Sequence, residues 1–459
     1  MPARECRLGA QAERPGFAEK QDGTEAVSPV DRRSKSFFEL GRSRRSQTLL
    51  DQAIVSGSNF LTGIILVRGL GLVEFGRFTV AYAVLLLANS IQLSFISSPM
   101  ITLGALCPTP PEQRRFVRGM FGVQLVFCAL VSVSCVVAAT IFVVRNGGIP
   151  TAGVIPAFGA AVVLYLMQDW LRRYYFTVGK PAVSVWNDAI SYLGQVVVLA
   201  ALWGLRELSI ESAFWAIAIT SGVAFATGGL IERLGSSLEE ARDSWRVARR
   251  TSIDLGIANQ LQWVVYQGAI LVGAGIAGAQ AAGGVRATQN VIGPVNIAYQ
   301  AMENIVPIRA AEEMRRGGIK RAAAFLFRFG ATGFLVLLVA FSAASLISSR
   351  FLVFFYGHQL SLYAGVLNLQ MLYFLLAWPV RQLTFLFRTI KNTTPILISS
   401  LVAAMISMSL IFPLVHRFGA LGIVMSAVAG QIGTLLYLTF AWLRISSTAQ
   451  VDVLETQNR

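Results

Sequence analysis

LLDQAIVSGSNFLTGIILVRGL, residues 49–70, decides the fold of this chain. It carries one acid near its start, Asp51, and one arginine near its end, Arg68; everything between is apolar, small or uncharged. As a helix such a run crosses a hydrocarbon layer of about 30 Å. Eleven further stretches of this kind follow as far as Leu443. The composition agrees, with 54% hydrophobic and 14% charged residues and a mean hydropathy of +0.60. No soluble core needs that balance. The sequence predicts an all-α polytopic membrane protein with twelve transmembrane helices.

The charges predict its orientation. Of 39 Lys plus Arg, ten lie in residues 1–47, and 18 more fall in 107–118, 172–180, 233–250, 309–321 and 388–391, the even-numbered loops. The intervening loops and their helix ends hold Arg68, Arg77, Arg145, Arg206, Arg286, Arg350 and Arg417. Basic loops remain cytoplasmic, which places both termini there. The +15 net charge then reports topology and anionic lipid headgroups, not nucleic acid. Residues 1–47 mix ten basic with seven acidic side chains and lack the apolar core of a signal peptide, so they read as a disordered basic tail. A start codon placed too far upstream is the alternative. The four cysteines form no disulfide framework: Cys128 and Cys135 share one face of one helix and cannot easily bridge, so they are expected as packed free thiols.

An offset of 208 residues lays the first helix pair on the seventh and eighth. Asp51 meets Asn259, Gln52 meets Gln260, Asn59 meets Gln267, Gly76 meets Gly284, Gln92 meets Gln300 and Pro99 meets Pro307. Further on, Arg172 falls opposite Arg381 and Lys180 opposite Lys391 after a small slip. Six helices per copy bring both copies in from the same side. That is a parallel repeat, two six-helix bundles around a central cleft. The expected parts are the tail 1–47, a lobe 48–234, an amphipathic cytoplasmic linker 235–252, a second lobe 253–443 and a cytoplasmic tail 444–459.

Polar side chains inside a span are costly, so their clustering is informative. In the first helix Gln52, Ser56, Asn59 and Gly63 recur at helical spacing; the seventh repeats the stripe with Gln260 and Gln267. The eighth carries Arg286, Asn290, Gly293, Gln300 and Asn304 on one face, with Gln289, Asn296 and Glu303 beside it. Gln52, Asn59, Arg68, Gln260, Gln267, Arg286, Gln289, Asn290, Gln300 and Asn304 are the expected lining of a hydrated substrate cavity. Amides suit a sugar and guanidiniums suit a phosphate. The competing explanation is structural: amides also bind membrane helices to each other, and an arginine near a helix end snorkels to the headgroups.

No cofactor, metal or catalytic group is expected. Gly273-Ala-Gly-Ile-Ala-Gly278 has the spacing of a dinucleotide fingerprint but lies at a helix end with no strand before it, where glycines serve close packing. Gly179-Lys180 lacks the rest of a phosphate-binding loop, and His358 and His416 lack metal-ligand spacing. Asp51, Asp188, Glu232, Asp254 and Glu303 fall near cytoplasmic helix ends, where solvation is expected, and Asp169 with Arg172 and Arg173 reads as a headgroup-zone cluster. No paired midplane carboxylates for a proton or sodium ion are visible.

Several stretches resemble the MOP flippase superfamily, in particular its polysaccharide (Wzx-type) branch. They are Leu50-Asp-Gln-Ala-Ile-Val-Ser-Gly-Ser-Asn-Phe60, Arg68-Gly-Leu-Gly71 leading to Glu74-Phe-Gly-Arg-Phe78, and Gln168-Asp-Trp-Leu-Arg-Arg-Tyr-Tyr-Phe176 with Gly179-Lys-Pro181. Gly284-Val-Arg-Ala-Thr-Gln289 and Tyr356-Gly357 complete the set, and the resemblance spans about 48–443. It implies two lobes in a V that move an undecaprenyl-pyrophosphate-linked oligosaccharide across a bacterial inner membrane, from cytoplasmic to periplasmic leaflet, for O-antigen, capsule or exopolysaccharide assembly. Its implied partners are that lipid-linked oligosaccharide, membrane lipids, and a polysaccharide polymerase and chain-length regulator. Twelve helices, where some members have fourteen, argue against the lipid II branch.

Two rivals come from other classes. A cation-coupled multidrug antiporter of the same superfamily would want membrane carboxylates in the first bundle, where few lie away from helix ends. A membrane polysaccharide polymerase or ligase would want a sizeable catalytic outer loop, and every outer loop here is short.

Overall fold

The computed structural model describes residues 44–104, 106–146 and 153–457. Among them there are long helices and no strand. The first bundle opens with α1 (Arg44–Leu70) and α2, which runs Leu72–Gln92, passes a π-turn at Leu93–Ser97 and ends as Ser98–Gly104. Then come α3 (Pro110–Asn146), α4 (Val154–Thr177), α5 (Pro181–Asp188, a π-turn at Ala189–Leu193, then Gly194–Gly204) and α6 (Ile210–Glu232). In the second bundle α7 is Leu238–Trp263, a π-turn at Val264–Gly268 and Ala269–Ala277. The next helix, α8, begins as Ala279–Ile292, breaks at Gly293 and Pro294, and resumes in Val295–Tyr356. That stretch is divided by non-helical backbone at Gly317 and Gly318 (φ 68), where α8 ends and α9 (319–356) begins. A 3-10 turn at His358–Tyr363 leads to α10 (Ala364–Thr389), followed by α11 (Thr394–Phe418) and α12 (Ala420–Gln457).

Among the described residues ten segments are long and apolar enough to cross a membrane. In α7 the described residues add the shorter apolar run Val264–Ala277. Helices α7 and α8 carry Gln260, Gln267, Arg286, Gln289 and Asn290. The outer surface is that of a multi-pass membrane protein. Leu130, Val133 and Val136 on α3 and Leu335, Val336 and Val339 on α9 all lie exposed, which water would penalise and lipid does not.

Packing repeats between the halves. In the first bundle α4 packs on α6, α1 on α5 and α3 on α4; in the second α10 packs on α12, α7 on α11 and α9 on α10. Connections α2–α3, α4–α5, α6–α7, α8–α9 and α10–α11 gather the arginines and lysines at one end of the molecule, here the basic end. The α1–α2, α7–α8 and α9–α10 turns lie at the far end.

The segment boundaries differ in detail from a tail–lobe–linker division. Helix α1 opens at Arg44, and the rest of the basic tail, 1–43, lies outside the described residues. The 235–252 stretch is no separate helix: Ser237 caps α7 in a reciprocal box with Glu240, and the helix runs on unbroken to Trp263. Cys128 and Cys135 are free thiols on α3.

The wide turn in α2 has a local cause. Pro99 has no N–H to give and its ring crowds the carbonyl four residues back, at Phe95; the π-turn at Leu93–Ser97 absorbs the conflict.

Candidate functional site

At the far end the two bundles meet backbone to backbone. Turn α1–α2 pivots on Gly71 (φ 77, ψ 166) and turn α7–α8 on Gly278 (φ 84, ψ 171), a conformation open to glycine and strained for other residues. The turns lay α2 along α8. A Cβ on Gly76 would overlap the Ala279 carbonyl, and one on Gly283 would sit 2.9 Å from the Leu72 carbonyl oxygen. From α1, Arg68 reaches across to α9, its Nη2 donating to the Phe354 carbonyl (2.6 Å) and its Nε to the Phe355 carbonyl (2.8 Å). Phe60 packs edge-on against Phe355, with centroids 5.2 Å apart.

Further in, the seam turns polar. Gly63 on α1 leaves room for the Asn290 amide of α8. Arg286 lies over the Tyr82 ring of α2, 5.3 Å from its centroid, and donates to Gln289 Oε1 at 3.3 Å. This is a cation–π contact that bridges the bundles. Gln289 in turn borders a small space inside the second bundle with Tyr266, Gln370 and Tyr373.

Toward the basic end α2 stays fastened to the second bundle. Gln260 donates to Ser90 Oγ (3.0 Å) and Ser94 Oγ (3.1 Å), and the Phe95 ring lies against Gly256. Ser244 of α7 donates to the Phe116 carbonyl of α3. The other seam is different. Among the described residues no hydrogen bond or ring contact joins residues 51–59 of α1 to α8 or α9. Among the described residues the bundles are joined along α2, where α3 meets the first turns of α7, and at the far half of α1.

The sequence-derived residues are thus placed as follows. Arg68, Gln260, Arg286 and Asn290 make contacts between bundles. Gln52, Asn59 and Gln267 are half-buried, Gln267 within the π-turn of α7. Gln289 faces the interior of its own bundle. The side chains of Gln300 and Asn304 lie outside the described residues.

One cluster contradicts the sequence expectation. Asp51, Asp188 and Asp169 are not solvated: Asp51 and Asp188 are fully buried and Asp169 is 2% exposed. Arg172 of α4 explains it. Its Nη2 donates to Asp51 Oδ2 on α1 at 2.5 Å, and its Nε lies 2.7 Å from Asp188 Oδ2 on α5, an ion pair without hydrogen-bond alignment. Gln168 Nε2 donates to Asp188 Oδ1 (2.9 Å), and Arg173 pairs with Asp169 at 3.4 Å. One guanidinium lies between two buried carboxylates, the second about 10 Å along α5 from its start. Sequence position suggested helix ends. The readable signal was the four-residue spacing of Gln168 with Arg172, which puts both on one face of α4. Of the other carboxylates, Glu232 binds Lys180 Nζ at 2.7 Å and Glu303 binds Arg381; the side chain of Asp254 lies outside the described residues. No metal-binding group of His, Cys, Asp and Glu occurs among the described residues.

No family model matches the chain, and no curated protein matches it either. Solved structures do. The lipid II flippase MurJ in an inward closed conformation superposes with a TM-score of 0.67 at 13% identity, covering 86% of each chain. A MATE protein in complex with MaL6 gives 0.60 at 14% identity over 88% of this chain and 95% of that one. A MOP superfamily transporter from Pyrococcus furiosus gives 0.58 at 13% identity over 87% and 94%. At such identity the likeness is one of fold alone: this chain shares the helical architecture of these solved structures.

Proposed function

We propose that the chain is a flippase carrying undecaprenyl-pyrophosphate-linked oligosaccharide repeat units from the cytoplasmic to the periplasmic leaflet of a bacterial inner membrane. Both termini are cytoplasmic on this reading, and a polysaccharide polymerase and chain-length regulator act downstream. The observation that carries it is the seam itself: an amide- and guanidinium-bearing face on α1, α7 and α8 where the bundles meet, with no hydrogen bond among the described residues from 51–59 of α1 to α8 or α9. A sugar head needs many weak hydrogen-bond partners and its pyrophosphate needs guanidiniums. A seam open on one side leaves the polyprenyl chain in lipid. The lipid II flippase MurJ shares the fold. Reading the chain as a transporter leaves no chemical step for it to catalyse.

The test is Arg286→Ala in cells whose surface polysaccharide depends on this chain. Surface polymer falls several-fold while the membrane level of the protein is unchanged. Unchanged polymer at equal level rejects the reading.

The buried Asp51–Arg172–Asp188 cluster favours a second reading, a cation-coupled multidrug antiporter, because it supplies the carboxylates in the first bundle that the sequence seemed to lack. Asp188→Asn in proteoliposomes separates the two. An antiporter loses gradient-driven drug movement, whereas a flippase moves no drug in either form.

A further inference from the structure

Where α8 hands over to α9 the hairpin borders an open-sided cavity of about 480 Å³. Glu313 of α8 lines it, together with Arg321, Phe325, Arg328, Phe329 and Thr332 of α9. Residues 321, 325, 328 and 332 share one helix face, so the two guanidiniums stand one above the other with an aromatic ring between. The cavity lies away from the seam between the bundles, and the function proposed above does not use it.

The charges do not close. Glu313 takes Arg321 at 2.5 Å and Arg316 at 3.5 Å, one carboxylate for two guanidiniums. Arg328 makes no ion pair with a described residue, and its guanidinium has no hydrogen-bond acceptor among them. It sits ten residues beyond Gly318, about 15 Å along the helix, between Phe327 and Phe329 and just before the uncharged run 329–349. An unmatched cation beside an apolar run lacks a protein partner and favours an anionic one. Three guanidiniums against one carboxylate leave an excess of two positive charges. Phe325 stacks on Phe329, and Phe329 stacks on Trp378 of α10, so the apolar wall is braced.

We propose that this cavity binds a lipid headgroup bearing two phosphates. Arg321 and Arg328 take the phosphate oxygens in paired hydrogen bonds, and Phe325 and Phe329 carry the first methylenes of the lipid. Two sources share that chemistry: a bis-phosphatidyl phospholipid of the leaflet at the basic end, and a polyprenyl diphosphate.

The experiment uses the full chain, purified in neutral detergent, with lipid retention followed by native mass spectrometry. Cardiolipin is retained at about one per chain and phosphatidylcholine is not. Arg328→Gln, on an exposed side chain, weakens retention about tenfold, Arg328→Lys weakens it less, and Arg321→Gln serves as the second variant. Thermal unfolding without lipid verifies that each variant is folded. Displacement of cardiolipin by polyprenyl diphosphate assigns the site to a diphosphate carrier; failure to displace it assigns the site to the resident phospholipid. The proposal is overturned if the wild type retains neither lipid, or if both glutamine variants retain them as the wild type does. Neither result depends on transport, so the flippase reading stands or falls separately.

Discussion

Phe121 on α3 and Trp170 on α4 lie ring against ring, centroids 5.0 Å apart. The contact recurs 208 residues later as Phe329 on α9 and Trp378 on α10, at 5.9 Å. The interval is the one that aligns the polar residues of α1 with those of α7, here reproduced by core packing between a different pair of helices. Chance likeness between apolar segments does not preserve a specific aromatic contact in space.

The two tryptophans differ in one bond, and that difference is testable. Trp378 Nε1 donates to the Gly330 carbonyl at 2.8 Å, whereas Trp170 Nε1 has no partner among the described residues. Trp378→Phe is expected to cost about 1 kcal/mol more than Trp170→Phe. Thermal unfolding in one detergent reads the difference, and equal losses would contradict the assignment.

Gly76→Val places a side chain on the Ala279 carbonyl. Backbone cannot step aside like a flexible side chain, so α2 and α8 part at the far end, at a cost of about 1–3 kcal/mol. Spin labels on Val73 and Gln280, both exposed, are expected to show a distance distribution lengthened by a few ångströms. An unaltered distribution would show that the crossing is looser than described.

Arg172→Met strands Asp51 and Asp188 in the interior without a cation. Loss of about 3–5 kcal/mol is expected. Adding Asp51→Asn should return part of it, because the two residues share one interaction. Strict additivity of the two changes would argue against a working ion pair.

Arg68 ties α1 to the end of α9 through two carbonyls. Arg68→Ala is expected to loosen that fastening. A cysteine introduced at Asn59, in a background without native cysteines, would then react with a water-soluble maleimide from both membrane faces. With Arg68 intact it reacts only from the face of the basic loops. Labelling from both faces in each protein would remove the role assigned to Arg68.

Much of this was legible in the residues. Hydropathy gives helices of membrane length because lipid rewards apolar side chains on every face, and the 208-residue offset gives the pairing of bundles. The stripe containing Gln260, Arg286 and Asn290 is where contacts between bundles occur. The Asp51–Arg172–Asp188 cluster was hidden. Each residue lies near a helix end, where solvent is the usual partner, and only the packing of α1, α4 and α5 together buries all three. The α8–α9 cavity was hidden for the opposite reason: its arginines look like ordinary loop charges until the hairpin brings Arg321, Arg328 and Glu313 to one cavity.

Helix α7 and the first half of α8 carry Gln260, Gln267, Arg286, Gln289 and Asn290, and polar groups inside a span are costly unless neighbouring helices partner them. During synthesis the first six helices precede them, and α2 offers Ser90, Ser94 and the Tyr82 ring to Gln260 and Arg286. The N-terminal half therefore serves as the receiving surface on which the C-terminal half is inserted. Expressed without it, 238–305 should stay out of the membrane, while the later, more apolar helices still integrate.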